Sequence, residues 1–323
     1  MRRSLLLQPD ATLRTALKDA ELEAALKDKL GVLWLDLDAT EPGAPQLLRA
    51  VFGFHPLAVE DSFDDRANAP KVDDYGAYLF ILAQSVSTDT RGLVQLKDVG
   101  LFLGPNFVVT VREAEAPAVD ELFARAVENP HLISRGADFL AHTVLDALVD
   151  ELLPAVEAMD ARLDELEQRI LERPDRGLLS EILLLRRTTL RLRRSILPER
   201  DMVNRLSRGE FPLIRDEALI FYRDVYDHIV RVEEMLDGLR DVADSALSSY
   251  LSAVNNRMNE IMKAMSVVAV IFLPLTLIAS IYGTNLDYSH FGIDFEYGFY
   301  LMLGVMAAIA AGLIVFFRKR GWF

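Results

Sequence analysis

The stretch AMSVVAVIFLPLTLIASIY, residues 264–282, contains 19 residues without a charge, and Gly283, Thr284 and Asn285 follow it. Its length is close to the ~20 residues that an α-helix needs to cross the hydrocarbon core of a bilayer. A second uncharged stretch, GFYLMLGVMAAIAAGLIVFF, occupies residues 298–317. The alternative is two buried helices of a soluble protein, but a hairpin of two helices that are apolar on every side is difficult to bury. We therefore expect two transmembrane helices.

The charges that flank the two spans predict their orientation. Arg257 and Lys263 precede the first span, and a basic tail of residues 318–323 follows the second. The loop of residues 283–297 has no Lys or Arg. Its acidic side chains are Asp287, Asp294 and Glu296. The positive-inside rule then puts both termini in the cytoplasm and the loop on the periplasmic or extracellular side of a cell inner membrane.

The composition of the chain excludes several classes of function. The 323 residues have a net charge of -14 and include no cysteine, which excludes disulfides, thiolate metal sites and cysteine nucleophiles. The acidic balance argues against nucleic acid as a partner, because a phosphate backbone requires a basic surface. It suits a protein whose ligands are cations. The sequence has no Gly-rich phosphate loop, nucleophile elbow or metal-protease pair, so we expect no enzyme.

Residues 1–135 are typical of a mixed α/β cytoplasmic domain. Four segments have the apolar pattern and the length of strands. They are residues 31–37, 77–86, 95–104 and 106–113. A Gly-Pro-Asn turn joins the last two, which predicts a hairpin. Helices are expected over residues 46–52 and 56–63.

From residue 136 the apolar residues follow a heptad, which predicts a long helix that packs on another helix. The positions of this heptad are Leu145, Val149, Leu152, Val156, Met159, Leu163, Leu166 and Ile170. A break at residues 173–177 leads to a second helix, so that residues 136–210 form an antiparallel pair. The first helix is rich in Asp and Glu and the second in Arg, and these opposite charges favour pairing of the two helices. The alternative for most of these side chains is that they form two solvated faces.

A third helix starts after Phe211 and Pro212 and has no stop signal before the membrane. Residues 211–263 would form a cytoplasmic stalk that continues into the first span, giving one helix of about 70 residues. Pro274 lies in the membrane part, where a proline is tolerated although it frees one carbonyl. The expected fold class is α+β, with an N-terminal α/β domain, a long coiled-coil-like stalk helix and two C-terminal transmembrane helices.

The polar groups of the first span share one face of the helix, at alternating spacings of three and four. This polar stripe begins in the stalk and comprises Ser252, Asn255, Asn259, Met262, Ser266, Ala269, Leu273, Thr276 and Ser280. Small polar residues allow close packing of helices. The other interpretation is a water-lined pore, which requires several copies of the chain, because two helices cannot enclose one. Leu273 and Met262 would then form a constriction that closes by dewetting, and Asn285 would form an outer ring of amides.

Three stretches resemble the CorA family of divalent-metal transporters. They are FGFHPLAVEDSFDDRANAPKVDDYGAYLFIL (52–82), FYRDVYDHIVRVEEMLDGLRD (221–241) and NNRMNEIMKAMSVVAVIFLPLTLIASIYGTN (255–285). The third is the most specific, because it joins a motif, a span and a C-terminal position. The resemblance covers essentially the whole chain and implies a homopentamer with a cytoplasmic funnel.

The resemblance also implies site residues. The family's Gly-Met-Asn selectivity motif corresponds to Gly283, Thr284 and Asn285, so that Thr284 replaces the family's Met. The implied pore-lining residues are Asn259, Met262, Met265, Leu273 and Thr276. Asp224 corresponds to an inter-subunit carboxylate that binds regulatory magnesium, with Asp89 or Asp98 as candidate partners.

The implied function is a magnesium channel, with cobalt and nickel as further ions, driven by the membrane potential and gated by cytoplasmic magnesium. Hydrated magnesium suits an amide ring because the ion gives up its waters reluctantly. The alternative is a proton-coupled zinc transporter similar to the ZntB branch, in which His290 and the acidic loop would bind protons or zinc. A third hypothesis is a membrane-anchored enzyme or scaffold with His55, Glu60 and Asp61 at its site, although His55 is better explained as a helix-start residue.

Overall fold

The computed structural model describes residues 2–29, 31–64, 68–88, 94–112, 116–284 and 295–322. The chain forms two compact units. The first comprises Met1–Arg169 and Asp175–Leu247, and the second comprises Ile170–Pro174 and Ser248–Phe323. The finer domain boundaries derived from the sequence stay predictions.

The first unit is built on a mixed sheet, which has seven strands in the described ranges. In chain order they are β1 (Arg2–Leu7), β2 (Leu13–Thr15), β3 (Val32–Asp38), β4 (Lys71–Asp74), β5 (Leu79–Thr88), β6 (Val94–Leu103) and β7 (Phe107–Arg112). Their order across the sheet is β2-β1-β3-β7-β6-β5-β4, with β3 and β7 parallel and the other neighbours antiparallel. The four predicted strands are confirmed as β3, β5, β6 and β7. The sequence did not predict β1, β2 and β4, because two of them are very short and β1 does not alternate.

The hairpin between β6 and β7 depends on Gly104. Its N–H bonds to the carbonyl of Phe107 at 2.9 Å. A Cβ at this position would lie 2.1 Å from the Phe107 ring, so only glycine lets that ring fold over the turn. The ring belongs to a core of aromatic and aliphatic side chains on one face of the sheet, in which Phe54 stacks on Phe102 at 4.1 Å.

Eight helices accompany the sheet in the described part of this region. They are α1 (Asp19–Lys27), α2 (Ala44–Ala50), α3 (Pro56–Phe63), α4 (Pro117–Glu128), α5 (His131–Ser134), α6 (Ala137–Asp150), α7 (Leu152–Glu172) and α8 (Arg176–Ser207). The predicted helices near residues 46–52 and 56–63 are confirmed as α2 and α3. His55 is the N-cap of α3, where its Nδ1 accepts the Leu57 N–H at 3.2 Å. Its predicted role as a helix-start residue is thereby confirmed.

The heptad positions extend over two helices instead of one. All eight of them are buried, as expected, but Glu151 separates α6 from α7. Its carboxylate accepts hydrogen bonds from the Ser85 hydroxyl at 2.8 Å and from the Ala118 N–H at 2.6 Å. The prediction of an uninterrupted helix is therefore wrong at Glu151, whose side chain is bonded to the sheet and to α4.

One helix, α9 (Asp216–Tyr282), contains 67 residues and joins the predicted stalk to the first predicted span. A final helix, α10 (Phe295–Lys319), contains the second. Both are long and apolar enough to cross a membrane. The continuous stalk helix and the two C-terminal apolar helices are thus confirmed.

The arginines of α8 pair mainly with α9. Three ion pairs join the two helices at regular intervals, with N–O distances of 2.5–2.9 Å. They are Arg186–Asp244, Arg193–Asp237 and Arg200–Glu233. Two pairs join α7 to α8, Arg162–Glu181 at 2.6 Å and Arg169–Glu181 at 3.9 Å, and in both of them the arginine lies on α7. The expected charge pairing between the first two helices is therefore wrong for Arg186 and Arg193, whose acidic partners lie on α9.

Candidate functional site

The membrane part of α9 has one covered side. Within residues 264–281, Val267 is buried and four positions are half-buried, while the rest are exposed. The half-buried positions are Ile271, Pro274, Leu275 and Ile278. At 100° per residue, the covered side lies roughly 160° around the helix from the polar stripe. The contacts of the chain with itself therefore leave the stripe accessible to other copies.

The structure leaves every predicted pore-lining residue exposed. These residues are Asn259, Met262, Met265, Ser266, Ala269, Leu273, Thr276 and Ser280. The apolar members among them are strongly exposed, and Leu273 reaches 74%. Exposure alone does not separate a pore face from a lipid face. The difference is chemical, because the other exposed positions of residues 264–281 carry only apolar side chains.

The hydroxyl of Thr276, in the polar stripe, can accept hydrogen bonds from a ligand but has no free proton to donate. This hydroxyl donates to the Phe272 carbonyl at 2.8 Å, so its only proton is used inside the helix. The Thr284 hydroxyl donates in the same way to the Ile281 carbonyl at 2.6 Å. Such oxygens can accept hydrogen bonds from the water shell of a cation.

The helix ends at Tyr282, directly before the predicted selectivity motif. The N–H of Gly283 bonds to the Ala279 carbonyl at 2.9 Å, and Gly283 is not among the residues with positive φ. A Cβ at Gly283 would lie 3.3 Å from the Ala279 carbonyl oxygen. The glycine therefore avoids crowding at the helix end, and no left-handed turn is needed here.

Several predicted site residues lie outside the described residues. They are Asn285, Asp287, His290 and Asp294 of the outer loop, the side chain of Glu296, and Asp89. Their assigned roles stay predictions.

Asp224 is exposed on α9, and its electrostatic neighbours include His142 and Asp146 of α6. Asp98, one of its two candidate partners, is in β6. It accepts hydrogen bonds from the Asn68 N–H at 2.8 Å and the Gln84 side chain at 3.0 Å. The pairing of Asp98 with Asp224 stays a prediction, while α6 supplies charged neighbours that the sequence did not suggest.

A cluster of potential metal ligands lies between α6 and α9. The ligand atoms of Asp146, Asp150 and His228 are all within 4.8 Å of one another. Nδ1 of His228 is 3.3 Å from Oδ1 of Asp150 and 3.9 Å from Oδ1 of Asp146. We call these three residues the Asp-His cluster. Asp146 and Asp150 are one turn apart, as are Asp224 and His228, so each helix presents two groups on one face.

Two atoms of this cluster lack the hydrogen bonds that buried polar groups normally make. Oδ1 of Asp146 and Nδ1 of His228 are buried without a hydrogen-bond partner. Burial, followed by the charge of Asp150, raises the pKa of Asp146, and His228 partly offsets this rise. A divalent cation would supply the missing partner and neutralise the carboxylates. The cluster therefore fits a divalent metal ion.

The residue before α9 is held against α6 by an ion pair in which the carboxylate is buried and the arginine is exposed. Asp138 accepts hydrogen bonds from Arg215 at 2.6 and 2.8 Å, and the Tyr222 hydroxyl donates to the Asp138 carbonyl at 2.9 Å. Asp138, His142, Asp146 and Asp150 follow one another at intervals of four along α6. The ion pair thus aligns the face of α6 that carries the Asp-His cluster. Sequence reasoning missed this cluster, although the i, i+4 spacings were visible on both helices.

Two of the three residues that suggested an enzyme, His55 and Asp61, have structural roles. His55 caps α3, and Asp61 pairs with Lys71 at 2.7 Å. These contacts account for both side chains without an acid–base site.

Residues 29–319 match the sequence model of a family described as CorA-like Mg2+ transporter protein. The chain belongs to the CorA family. Relatives of this CorA chain include a predicted metal ion transporter of Bacillus subtilis, YfjQ, which is 33% identical over 95% of both chains. The cobalt/magnesium transport protein CorA of Thermotoga maritima is 33% identical over 94% of this chain and 87% of the relative. The zinc transport protein ZntB of Pectobacterium carotovorum is 25% identical over 90% and 87%.

The fold is also shared with a solved CorA structure. The match is the complete structure of the CorA magnesium transporter from Methanocaldococcus jannaschii. The alignment includes 100% of this chain and 99% of the solved chain, with a TM-score of 0.83 and 21% sequence identity. At this identity the likeness shows the fold. It confirms the α+β class, with a long helix and two C-terminal apolar helices.

Proposed function

We propose that this CorA chain is a divalent-cation channel whose pore is lined by the polar stripe of α9. Copies of the chain, five by analogy with the implied family assembly, would surround a common axis. The observation that carries the proposal is the position of the stripe, opposite the covered side of the same helix. A face of Asn, Ser and Thr that the chain itself leaves open is best explained by an interface that contains water.

Magnesium is the cation that we propose first, with cobalt and nickel as further ions. The relative from Thermotoga maritima is named for cobalt and magnesium transport, which supports this choice. Gly283, Thr284 and Asn285 would form the outer ring, where amide and hydroxyl oxygens accept hydrogen bonds from the ion's water shell. Asp287, Asp294 and Glu296 would raise the local concentration of cations. With both termini in the cytoplasm, an inside-negative potential of 100 mV contributes about 4.6 kcal/mol per divalent ion.

We further propose that the Asp-His cluster holds a regulatory cation on the cytoplasmic side, together with Asp224. Carboxylates of this kind suit magnesium, and the imidazole of His228 admits cobalt, nickel or zinc. With the site filled, the negative charges on α6 and α9 are balanced. With the site empty, Asp146, Asp150 and Asp224 repel one another. That repulsion would loosen the contact between α6 and α9 and favour an open pore.

A proton-coupled zinc transporter is the second candidate function. Thr284 replaces the Met of the family motif, and a zinc transport protein is among the relatives of the chain. Both observations bear on which ion is transported and on whether the membrane potential or a proton gradient drives it. They leave the proposed pore face unchanged.

The test is ion uptake into proteoliposomes that contain the purified protein. Uptake of magnesium and of zinc would be compared under a potassium diffusion potential alone and under a pH gradient alone. The variant is Asn285→Ala, and the matched control is Val268→Ala, an exposed residue on another face of α9. Magnesium flux that follows the potential and changes only in Asn285→Ala supports the channel. Zinc flux that requires the pH gradient supports the second candidate, and equal loss in both variants contradicts the pore assignment.

A further inference from the structure

The end of α10 folds back on itself through a Schellman motif. The Trp322 N–H bonds to the Phe317 carbonyl at 3.1 Å, and the Gly321 N–H bonds to the Arg318 carbonyl at 3.2 Å. Gly321 has a φ of 68°, the left-handed conformation that this motif requires and that glycine adopts without strain. The chain therefore leaves the axis of α10 at Gly321, directly after the end of the helix.

This turn holds an aromatic ring beside a lysine of α9. The Trp322 ring lies 5.4 Å from the buried Phe317 ring. The Trp322 ring also contacts Lys263 of α9, whose Nζ lies 5.7 Å from the centre of the ring. Trp322 is nevertheless 41% exposed. The indole is thus fixed in position and still open to a ligand.

Four cations lie next to the ends of the two uncharged segments, and one of them, Lys263, contacts this tryptophan. Lys263 directly precedes the uncharged residues 264–282, and Arg318, Lys319 and Arg320 directly follow residues 298–317. All four are exposed. Within the described residues of the second unit, none of them has a carboxylate partner. We call these four residues and Trp322 the basic patch.

We propose that the basic patch binds the headgroup of an anionic phospholipid of the cytoplasmic leaflet. Lys and Arg donate charge-assisted hydrogen bonds to phosphate oxygens, and an indole held at the boundary of the hydrocarbon favours the headgroup region. The positive-inside rule explains why cations lie on this side. It does not require a tryptophan that contacts both a phenylalanine of α10 and a lysine of α9. The proposal depends on the transmembrane orientation and is independent of the transported ion.

Trp322 provides its own reporter for the test. The chain has two tryptophans, and the other one, Trp34, is buried in the first unit with 0% exposure. A brominated lipid quenches the fluorescence of an indole only at short range. The buried Trp34 therefore contributes a constant fluorescence background. The variant Trp322→Phe measures this background directly. The full-length protein would be reconstituted in phosphatidylcholine bilayers that contain either brominated phosphatidylglycerol or brominated phosphatidylcholine at equal mole fraction.

We expect brominated phosphatidylglycerol to quench Trp322 with an apparent preference of roughly fivefold or more over brominated phosphatidylcholine. The double variant Lys319→Gln and Arg320→Gln should lose most of this preference. Arg257→Gln is the matched control, because it removes a cation six residues before Lys263, about 9 Å further into the cytoplasm, and it should keep the preference.

Equal quenching of the wild-type protein by the two lipids would overturn the proposal, and this comparison needs no variant. A preference that inorganic phosphate abolishes at matched ionic strength would also overturn it, because the site would then select the phosphate ion rather than a lipid. If the double variant and Arg257→Gln lost the preference equally, the net charge of the protein would explain the preference. That result would contradict a specific lipid site.

Discussion

Nδ1 of His228 on α9 lies 3.3 Å from Oδ1 of Asp150 on α6. The two residues are 78 positions apart in the sequence, and Asp146 completes the group from the next turn of α6. Because α9 continues from this cluster into the first span, a cation bound here would act on the helix that also carries the polar stripe. In the proposed function, the cluster would connect the concentration of cations on its side of the membrane to the pore.

Removal of a carboxylate from the cluster should weaken cation binding. Asp150→Asn keeps the shape of the side chain and removes its charge, and we expect the affinity for cobalt to fall at least about tenfold. Isothermal titration calorimetry on the detergent-solubilised protein measures this change. Asp160→Asn, which removes an exposed charge from α7, is the control. Similar losses in both variants would mean that only net charge matters.

The imidazole should affect transition metals more than magnesium. His228→Gln removes a nitrogen ligand that cobalt and zinc prefer, while the carboxylates that suit magnesium remain. We expect a loss of roughly tenfold for cobalt and little change for magnesium. Competition between the two ions in the same binding assay gives the ratio directly. An equal loss for both ions would show that His228 only positions the helix.

The hydroxyl of Thr276 should contribute to ion flux. Thr276→Val keeps a β-branched side chain of similar size and removes the hydroxyl oxygen from the stripe. We expect magnesium uptake into proteoliposomes to fall several-fold with unchanged protein content. Val268→Ala, on another face of the same helix, should retain its flux. Unchanged flux in Thr276→Val would exclude that hydroxyl from the ion pathway.

Glu199 of α8 should make the stability of the first unit depend on pH. Its side chain is buried, one carboxyl oxygen has no partner, and burial raises its pKa to about 8 although the Gln84 backbone N–H opposes this. The folded protein keeps the proton while the unfolded chain loses it above its ordinary pKa of 4.5. The stabilising contribution is therefore complete below that value and is lost as the pH rises towards 8, by about tenfold in the unfolding equilibrium constant per pH unit.

The comparison that tests this dependence uses Glu199→Gln, which has the same shape and cannot ionise. The difference in thermal stability between the two proteins should change steadily between pH 5 and about 8 and stay constant above pH 8. Parallel curves over the whole range would mean that Glu199 has an ordinary pKa.

Loss of the ion pair at the start of α9 should destabilise the first unit. Arg215→Ala leaves the carboxylate of Asp138 buried without its main partner, and we expect a loss of about 2 kcal/mol, since the exposed arginine is partly screened. Burial would raise the pKa of Asp138, and the Arg215 bonds outweigh that effect and lower it. The stability that the ion pair gives to the wild type is therefore present above pH 3.8 and is lost as the pH falls through the lowered pKa of Asp138. The difference in stability between the wild type and the variant should shrink over the same range.

The control for this prediction is Arg208→Ala. Arg208 is exposed and bonds to Asn204 of its own helix at 3.2 Å, so its loss should cost little stability. Chemical unfolding of both variants measures the difference. Equal stability of the two variants would show that Asp138 is satisfied by other groups.

Helices and spans were predicted well because their signals are local. The uncharged residues 264–282 and 298–317 required no partner to be recognised, and the heptad positions of α6 and α7 are buried as their spacing indicates. The strands that failed prediction, such as β2 and β4, contain three and four residues. A strand of that length is stabilised by its neighbour in the sheet, which the local sequence does not identify.

The sequence by itself determined the two membrane spans, the polar stripe and the continuous helix α9, because apolar length and a period of 3.6 residues are properties of one segment. Only the tertiary structure decided that Glu151 interrupts the heptad, that Arg186 and Arg193 pair with α9, and that His228 meets Asp146 and Asp150. Each of these contacts joins groups that are at least 33 residues apart. Which such groups meet depends on how the helices pack on the sheet and on one another, and no single segment contains that information.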